Sequence, residues 1–272
     1  MKQLRGIKYL VVLVPLLFLA VSPYATAAQV TRTGTVTTIE NSNQTGSQSV
    51  TVPADATLCV VMAAFYRNAT NWIAANPVSL NSVNLSTLKK TDGVNDVEQV
   101  WLGYLVNPAT GSQTLAWNWG NTFTEGAVIC VVFYKGVDTS DPVVSSGTQT
   151  NDTYDLTGLT AGADDMMVGV VGTWNTSPSS VTDNGQTELA ITGPVQECYG
   201  GFAEKLGGTG FYFTDGEDTS CAAGVFRAAA STLEQEGFRF RNDDGNESGA
   251  TWLADQDTSI TRDKNLNTRL SA

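Results

Sequence analysis

Carboxylate, thiol and indole groups are the side chains through which this chain could do chemistry, because none of its 272 residues is histidine. The absence of histidine excludes Ser-His-Asp and Cys-His catalysis, histidine metal ligands and histidine pH switches. Paired carboxylates can hydrolyse glycosides without histidine, but no spacing marks two of the glutamates as facing each other. We therefore predict that the protein is not an enzyme. The glutamates considered are Glu98, Glu125, Glu188, Glu197 and Glu204.

Tryptophans could form an aromatic platform for sugar rings. Trp117 and Trp119 are two residues apart, so both rings point to one face of a strand. Leu115 shares that face, which favours the alternative that both rings pack in the core. Trp72 and Trp174 stand beside amide side chains at predicted loops and are better candidates for exposed rings. These four tryptophans are the candidate glycan-binding residues.

The four cysteines permit two disulfides in an exported chain, with three connectivities. Cys59 and Cys130 lie in apolar, β-branched runs, whereas Cys198 and Cys221 lie in strand-like segments close in sequence. We predict the pairs Cys59–Cys130 and Cys198–Cys221. Free buried thiols are an equally supported alternative, because cysteine in an apolar run often behaves as a small hydrophobic residue.

Acidic turns are weak candidates for a metal site. Calcium prefers several carboxylate and carbonyl oxygens from one loop, and two turns in the second half of the chain group such residues. Neither matches an EF-hand loop, so ordinary turn chemistry is the favoured explanation and we predict no cofactor. A structural calcium ion is the open alternative. Its ligands would come from Asp215, Glu217, Asp218, Asp243 and Asp244.

Residues 1–28 have the layout of a secretory signal peptide. Lys2, Arg5 and Lys8 precede an apolar run from Leu10 to Val21, and small residues follow at 25–28. The run is too short to span a bilayer, which needs about 20 apolar residues. We therefore expect a secreted or bacterial cell-surface protein that is not inserted in a membrane once the leader is removed.

The charge balance restricts the partners. The formal net charge is −12, and removing the leader, which has three basic and no acidic residues, changes it to −15. A nucleic-acid interface needs clustered Lys and Arg, and attraction to anionic lipid needs the same. We therefore predict no nucleic-acid partner and expect an extracellular glycan, a surface protein or a second copy of the chain.

Short strands separated by turn residues predict an all-β fold. Leu58–Tyr66 and Ala127–Tyr134 are nearly all apolar, which is typical of central buried strands, and Gly207-Gly208 predicts a tight turn. About ten strands at such intervals predict an antiparallel β-sandwich, jelly-roll-like in its winding. A shift to dense charge near Ala228 sets the predicted boundaries. These are a signal peptide at 1–28, a sandwich domain at 29–231 and a C-terminal extension at 232–272.

Several segments in order resemble a family of uncharacterised secreted bacterial β-sandwich domains. The resemblance covers most of residues 30–230 and implies a jelly-roll-like sandwich in an extracellular or cell-surface protein, with no established activity and no catalytic residues. The segments are Leu58–Phe65, Val83–Leu85, Leu88–Lys90, Val97–Pro108, Gly111–Leu115, Val131–Asp138, Asp141-Pro142 and Ala222–Arg227.

The C-terminal extension resembles the start of a second module found in large bacterial surface and phage-related proteins. The similar segments are Glu234–Gly245, Ala250–Ala254 and Asn267–Leu270. The resemblance implies a truncated or reduced second module.

Three functions follow from these patterns, in order of preference. The first is an exported, non-enzymatic structural or adhesive protein. The second is a carbohydrate-binding module that uses the loop tryptophans. The third is a self-assembling filament or capsid-like subunit, in which the strand Val30–Thr38 is donated to a neighbouring copy.

Overall fold

The computed structural model describes residues 28–41, 43–65, 73–91, 99–120, 126–150, 155–195, 197–213, 219–230, 239–242 and 268–271. The chain divides into two units, one formed by residues 27–231 and the other by residues 1–26 together with 232–272. No helix within the described ranges has the length and apolar character needed to cross a membrane.

Fourteen strands and one 3₁₀ turn, Asp183–Gly185, form the described part of the first unit. The strands are β1 (Thr31–Asn41), β2 (Thr45–Val52), β3 (Leu58–Phe65), β4 (Val78–Leu80), β5 (Val83–Asn84), β6 (Ser86–Lys90), β7 (Gln99–Val106), β8 (Gly111–Asn118), β9 (Ala127–Lys135), β10 (Val143–Thr150), β11 (Asp155–Trp174), β12 (Thr187–Val195), β13 (Cys198–Tyr212) and β14 (Ser220–Phe226).

These strands form three antiparallel sheets. Sheet A has the order β2-β8-β4-β5, sheet B has β1-β9-β3-β7-β6, and sheet C has β10-β14-β11-β13-β12. The first nine strands cross repeatedly between sheets A and B, so that β1, β9, β3 and β7 lie opposite β2, β8, β4 and β5. This is the winding of a jelly roll. The prediction of an all-β, antiparallel, jelly-roll-like sandwich is confirmed, and sheet C is a third layer.

The predicted number of about ten strands is too low, because several strands lack a clear apolar period. Strands β4 and β5 are only three and two residues long. Strand β12 is exposed or half-buried along its whole length. It therefore lacks the clear alternation of apolar and polar residues that predicts a strand. The predicted tight turn at Gly207-Gly208 is also wrong. Both glycines have positive φ values and bend β13 while it continues to pair with β11.

Sheet B is buried on both faces. All eight residues of β3 are buried, and its alternate side chains enter two different cores. Val61 and Ala63 face sheet A in what we call the A–B core. Val60 and Met62 face sheet C in what we call the B–C core. This continuous burial explains why β3 is apolar at every position.

A third core lies on the other face of sheet C. The first part of β11, residues 155–161, brings Leu156 and Leu159 against residues of β11 and β13 such as Met167 and Phe211. We call residues 155–161 the arm. The pairing of β11 with β13 is irregular between Leu156 and Met166, where the arm joins the rest of the strand.

The second unit is described by one antiparallel strand pair. Strand β15 (Arg239–Asn242) pairs with β16 (Thr268–Ser271), and Phe240 is the register partner of Leu270. The predicted second module at 232–272 otherwise lies outside the described residues.

Candidate functional site

The predicted disulfides are absent, and all four cysteines are buried. Cys59 lies in the A–B core and Cys130 in the B–C core. Cys198 lies in the B–C core and Cys221 in the third core. Each predicted pair therefore has its two thiols on opposite faces of a sheet, where no rotamer can join them. The disulfide prediction is wrong and the alternative of buried thiols is confirmed.

Burial also makes the thiols poor nucleophiles. It raises the pKa of Cys59 and Cys130 far above the ordinary thiol value. It raises the pKa of Cys221 to about 12. Because the thiolate is the reactive form, these groups stay protonated and inert near neutral pH.

Trp117 and Trp119 form no aromatic platform, because they are only 6% and 2% exposed in the A–B core. The glycan-binding interpretation of this pair is wrong, and the core alternative is confirmed. Leu115, which shares their face, is fully buried beside them, as the alternation of strand β8 requires. The ring of Trp119 lies 5.3 Å from Phe65 and 6.0 Å from Trp101, measured between centroids.

Trp174 is half-buried at the end of β11. Its Nε1 donates a hydrogen bond to Oε2 of Glu197, at 3.1 Å, and its ring packs against the B–C core. Asn175, which follows it, adopts the left-handed backbone region and donates its N–H to the Glu197 carbonyl. The turn thus fixes the indole edge, and Trp174 does not join Trp117 and Trp119. Trp72 lies outside the described residues.

The predicted calcium ligands Asp215, Glu217, Asp218, Asp243 and Asp244 also lie outside the described residues. Within the part of the chain that is described, no three Cys, Asp or Glu side chains come together in a group that could hold a metal ion.

Three of the five candidate glutamates, Glu188, Glu197 and Glu204, lie within the described ranges. Glu188 and Glu197 are exposed, and Glu98 and Glu125 lie outside the described ranges. Glu204 is 8% exposed, and its Oε2 accepts a hydrogen bond of 2.8 Å from the Tyr134 hydroxyl. Its Oε1 lies 3.5 Å from Nη1 of Arg32.

This buried carboxylate links sheet C to two strands of sheet B. Burial, together with the charge of Glu204, raises the pKa of Tyr134 well above its ordinary value. Tyr134 therefore stays a hydrogen-bond donor to Glu204. Sequence reasoning missed this cluster, because its members lie on β1, β9 and β13 and no local pattern relates them.

The strand predicted for donation to another copy is paired within its own chain. Strand β1 forms one edge of sheet B and pairs with β9 from Thr31 to Asn41, with one irregularity after Thr33. Donation of this strand to a neighbour stays a prediction.

The outer face of sheet A is the candidate binding surface. Its inward side chains, such as Val50, Leu115 and Leu80, fill the A–B core. The alternate side chains point outward, and all of them are exposed or half-buried. We call this surface the hydroxyl face. It consists of Thr45, Ser47, Ser49, Thr51, Ser79, Asn84, Ser112, Thr114, Ala116 and Asn118.

The pairing register makes these side chains neighbours. Ser49 lies opposite Thr114, and Thr51 lies opposite Ser112. The hydroxyls of Ser49 and Ser112 are 2.9 Å apart and hydrogen-bonded. Every member of the face is small, and every member except Ala116 offers a hydroxyl or amide group. No charged side chain interrupts it.

Such a face can form many neutral hydrogen bonds at once. Each hydroxyl donates one hydrogen bond and accepts others, and each amide does both. The sequence shows the alternation in β2, but the face also needs β4, β5 and β8. Their register cannot be read from one strand alone.

Comparison of the chain with protein families, curated proteins and solved structures finds no match.

Proposed function

We propose that this protein is an exported, non-enzymatic adhesive protein that contacts neutral polysaccharide through the hydroxyl face. The observation that carries the proposal is the lack of charge on that face. The chain has 27 acidic and 15 basic residues. Even so, the outward side of all four strands of sheet A is uncharged.

Hydrogen-bond complementarity supports a neutral polysaccharide as the partner. Sugar hydroxyls both donate and accept, and so do the hydroxyls of Ser49, Thr114 and their neighbours. Neutral groups cost much less to remove from water than carboxylates or ammonium groups do. A charged glycan would find no counter-charge on this face.

The regularity of the face supports a polymer rather than a single sugar. Neighbouring strands of a sheet lie about 4.8 Å apart, and alternate residues repeat along each strand, so the groups form a two-dimensional array. A polymer surface presents repeated hydroxyls to many of these positions together. Contacts that are weak one at a time then add up to retention.

Other features are consistent with adhesion. The leader-like residues 1–28 support export, and the absence of histidine supports a non-catalytic role. The raised pKa values of Cys59, Cys130 and Cys221 mean that these buried thiols do not supply a nucleophile.

The test is retention of the protein, purified from an exporting host, on a panel of insoluble neutral polysaccharides. Thr114→Lys places a charge at the middle of the hydroxyl face, and we expect it to abolish retention. Thr114→Lys also makes the net charge of the protein less negative. A general electrostatic effect would therefore strengthen retention on an acidic polymer, whereas we expect retention to be lost.

Thr160→Lys is the matched control. Thr160 is an exposed threonine on β11, outside sheet A, and the same charge change there should leave retention intact. Failure to bind any neutral polymer, or equal loss in both variants, would contradict the proposal. Retention that is lost in Trp174→Ala but unchanged in Thr114→Lys would place the binding site at the end of β11 instead.

A further inference from the structure

We propose that β10 pairs with β10 of a second copy of this chain, so that two copies of sheet C join edge to edge. This inference does not depend on the ligand of the hydroxyl face. It concerns a different sheet and a different partner.

Strand β10 has one hydrogen-bonding edge that no strand of the described residues occupies. It lies at the end of sheet C and pairs with β14 along Val143–Thr150. No backbone hydrogen bond connects its other edge to any residue in the described ranges. Unpaired N–H and C=O groups along an edge strand are a template for another strand.

Strand β10 also lacks the charges that protect other edges. Strand β1 carries Arg32 and Glu40, β6 carries two lysines, and β12 carries Glu188. Charged side chains on an edge oppose the addition of a second strand, whereas the segment VVSSGTQT of β10 has none. In an antiparallel pair of two β10 strands, no like charges would stand opposite each other.

A groove beside β10 gives an incoming strand a surface to contact. It has a volume of about 250 Å³ and lies between Ser145–Gln149 and residues 155–159 of the arm. Gly147 has no side chain to fill it, and a Cβ there would lie 3.3 Å from Leu156. The Ser145 hydroxyl lies on the face of β10 that points toward the third core, since its register partner is Val225, and it is buried with no hydrogen-bond partner among the described residues.

The self-complementarity of β10 favours a second copy over an unrelated peptide. Two copies of an acidic chain repel each other over most of their surfaces. Contact along the uncharged edge is the arrangement that keeps these charges apart. Strands β2 and β5 are also uncharged edges, but both belong to sheet A with its hydroxyl face, and the longer β2 serves as the internal comparison.

The experiment measures molar mass by light scattering and backbone hydrogen exchange across a concentration series of the exported protein. We expect a dimer mass at high concentration, together with slower exchange confined to residues 143–150. A monomer at every concentration with unchanged exchange in this segment would overturn the proposal.

The decisive variant is Ser146→Lys with Thr148→Lys. The register partner of Thr148 is Ala222 in the B–C core, so these side chains lie on the face of β10 that points toward sheet B. A free edge lets the lysines reach water, whereas a paired edge would bring them against the same lysines of the second copy. We expect this variant to stay monomeric.

The matched control places lysines on β2, as Ser47→Lys with Ser49→Lys. It should keep the dimer and lose polysaccharide retention, whereas the β10 variant should lose the dimer and keep the binding site. Each result therefore tests one proposal independently of the other. A dimer that survives the β10 lysines, or that disappears only with the β2 lysines, would refute pairing through β10. If the β10 variant does not fold, Gln149→Lys at the exposed end of the strand is the substitute.

Discussion

The two cores on opposite faces of sheet B use their polar groups in different ways. In the A–B core, the buried indole nitrogens of Trp117 and Trp119 have no hydrogen-bond partner among the described residues. In the B–C core, the buried carboxylate of Glu204 is matched by the Tyr134 hydroxyl and by Arg32. Both cores form against the same strands, so the difference comes from the sheet that covers each face.

The two cores differ in the free energy that an unmatched polar group costs. An indole N–H left unpaired costs on the order of 1–3 kcal/mol, which the large apolar area of the ring offsets. A carboxylate left unpaired in the same position would cost several kcal/mol, which ring-sized burial does not offset. The charged group therefore needs specific partners, and the neutral one does not.

The largest expected effect tests whether the two cores are equally important for the fold. Trp101→Ala leaves a cavity in the A–B core and Phe202→Ala leaves one in the B–C core, because both side chains are fully buried. We expect each change to lower the free energy of unfolding by about 3–5 kcal/mol, measured by denaturant titration. A loss well below this range in one variant only would show that its core is dispensable.

The next effect concerns the matched carboxylate. Tyr134→Phe removes the hydroxyl that donates to Glu204, and we expect it to cost about 1–3 kcal/mol at neutral pH, because the carboxylate stays buried. Tyr104→Phe is the control, since Tyr104 is half-buried and packs on the same core by its ring. Equal losses in the two variants would mean that the hydrogen bond to Glu204 contributes nothing.

The same residue predicts a pH dependence. The folded pKa of Tyr134 is raised above the ordinary value of 10.0 that it regains on unfolding. Its contribution is therefore complete below pH 10 and falls as the pH rises further, by up to about 1.4 kcal/mol per pH unit. Above pH 10, the free energy of unfolding of Tyr134→Phe should therefore fall less steeply with pH than that of the unmodified protein. Equal slopes for the two proteins, measured by denaturant titrations at several alkaline pH values, would refute this.

A smaller effect compares two indoles in the A–B core. The Trp101 Nε1 donates to Oγ1 of Thr87 at 3.1 Å, whereas the part of the chain that the structure describes offers the Trp117 Nε1 no partner. Replacing each by phenylalanine removes similar volume, but only Trp101→Phe also breaks a hydrogen bond. We expect it to cost about 1 kcal/mol more than Trp117→Phe in equilibrium unfolding. The reverse order would show that the Trp117 indole has a partner in solution.

The smallest effect comes from a reducing agent, which should leave the unfolding midpoint unchanged. A native disulfide typically contributes about 2–5 kcal/mol, so its reduction would be visible as a lower midpoint. Alkylation after unfolding in the absence of a reductant should modify all four cysteines. Modification of only two would show that a disulfide forms.

Much of the fold could be predicted from the chain itself. The apolar segments of β3 and β9 indicate central strands, and the turn residues between segments indicate a sandwich. The register partners could not be predicted, because pairing depends on contacts between residues far apart in sequence. Cys59 and Cys130 illustrate this: the sequence places both in buried strands, but only the register shows that they face different cores.

The candidate site follows the same division. The outward threonines and serines of β2 are visible as an alternating pattern, because the side-chain period of a strand is two. That they join the outward residues of β8, β4 and β5 in one uncharged surface is decided by the order of sheet A.

The sequence alone determined the all-β class and the absence of histidine chemistry, because residue types and short-range periodicity fix them. Tertiary structure alone decided that sheet B lies between two others, that Glu204 meets Tyr134 and Arg32, and that one edge of β10 is unpaired within the described residues. Those features depend on which strands become neighbours. That choice is made by the packing of whole sheets, and no local segment encodes it.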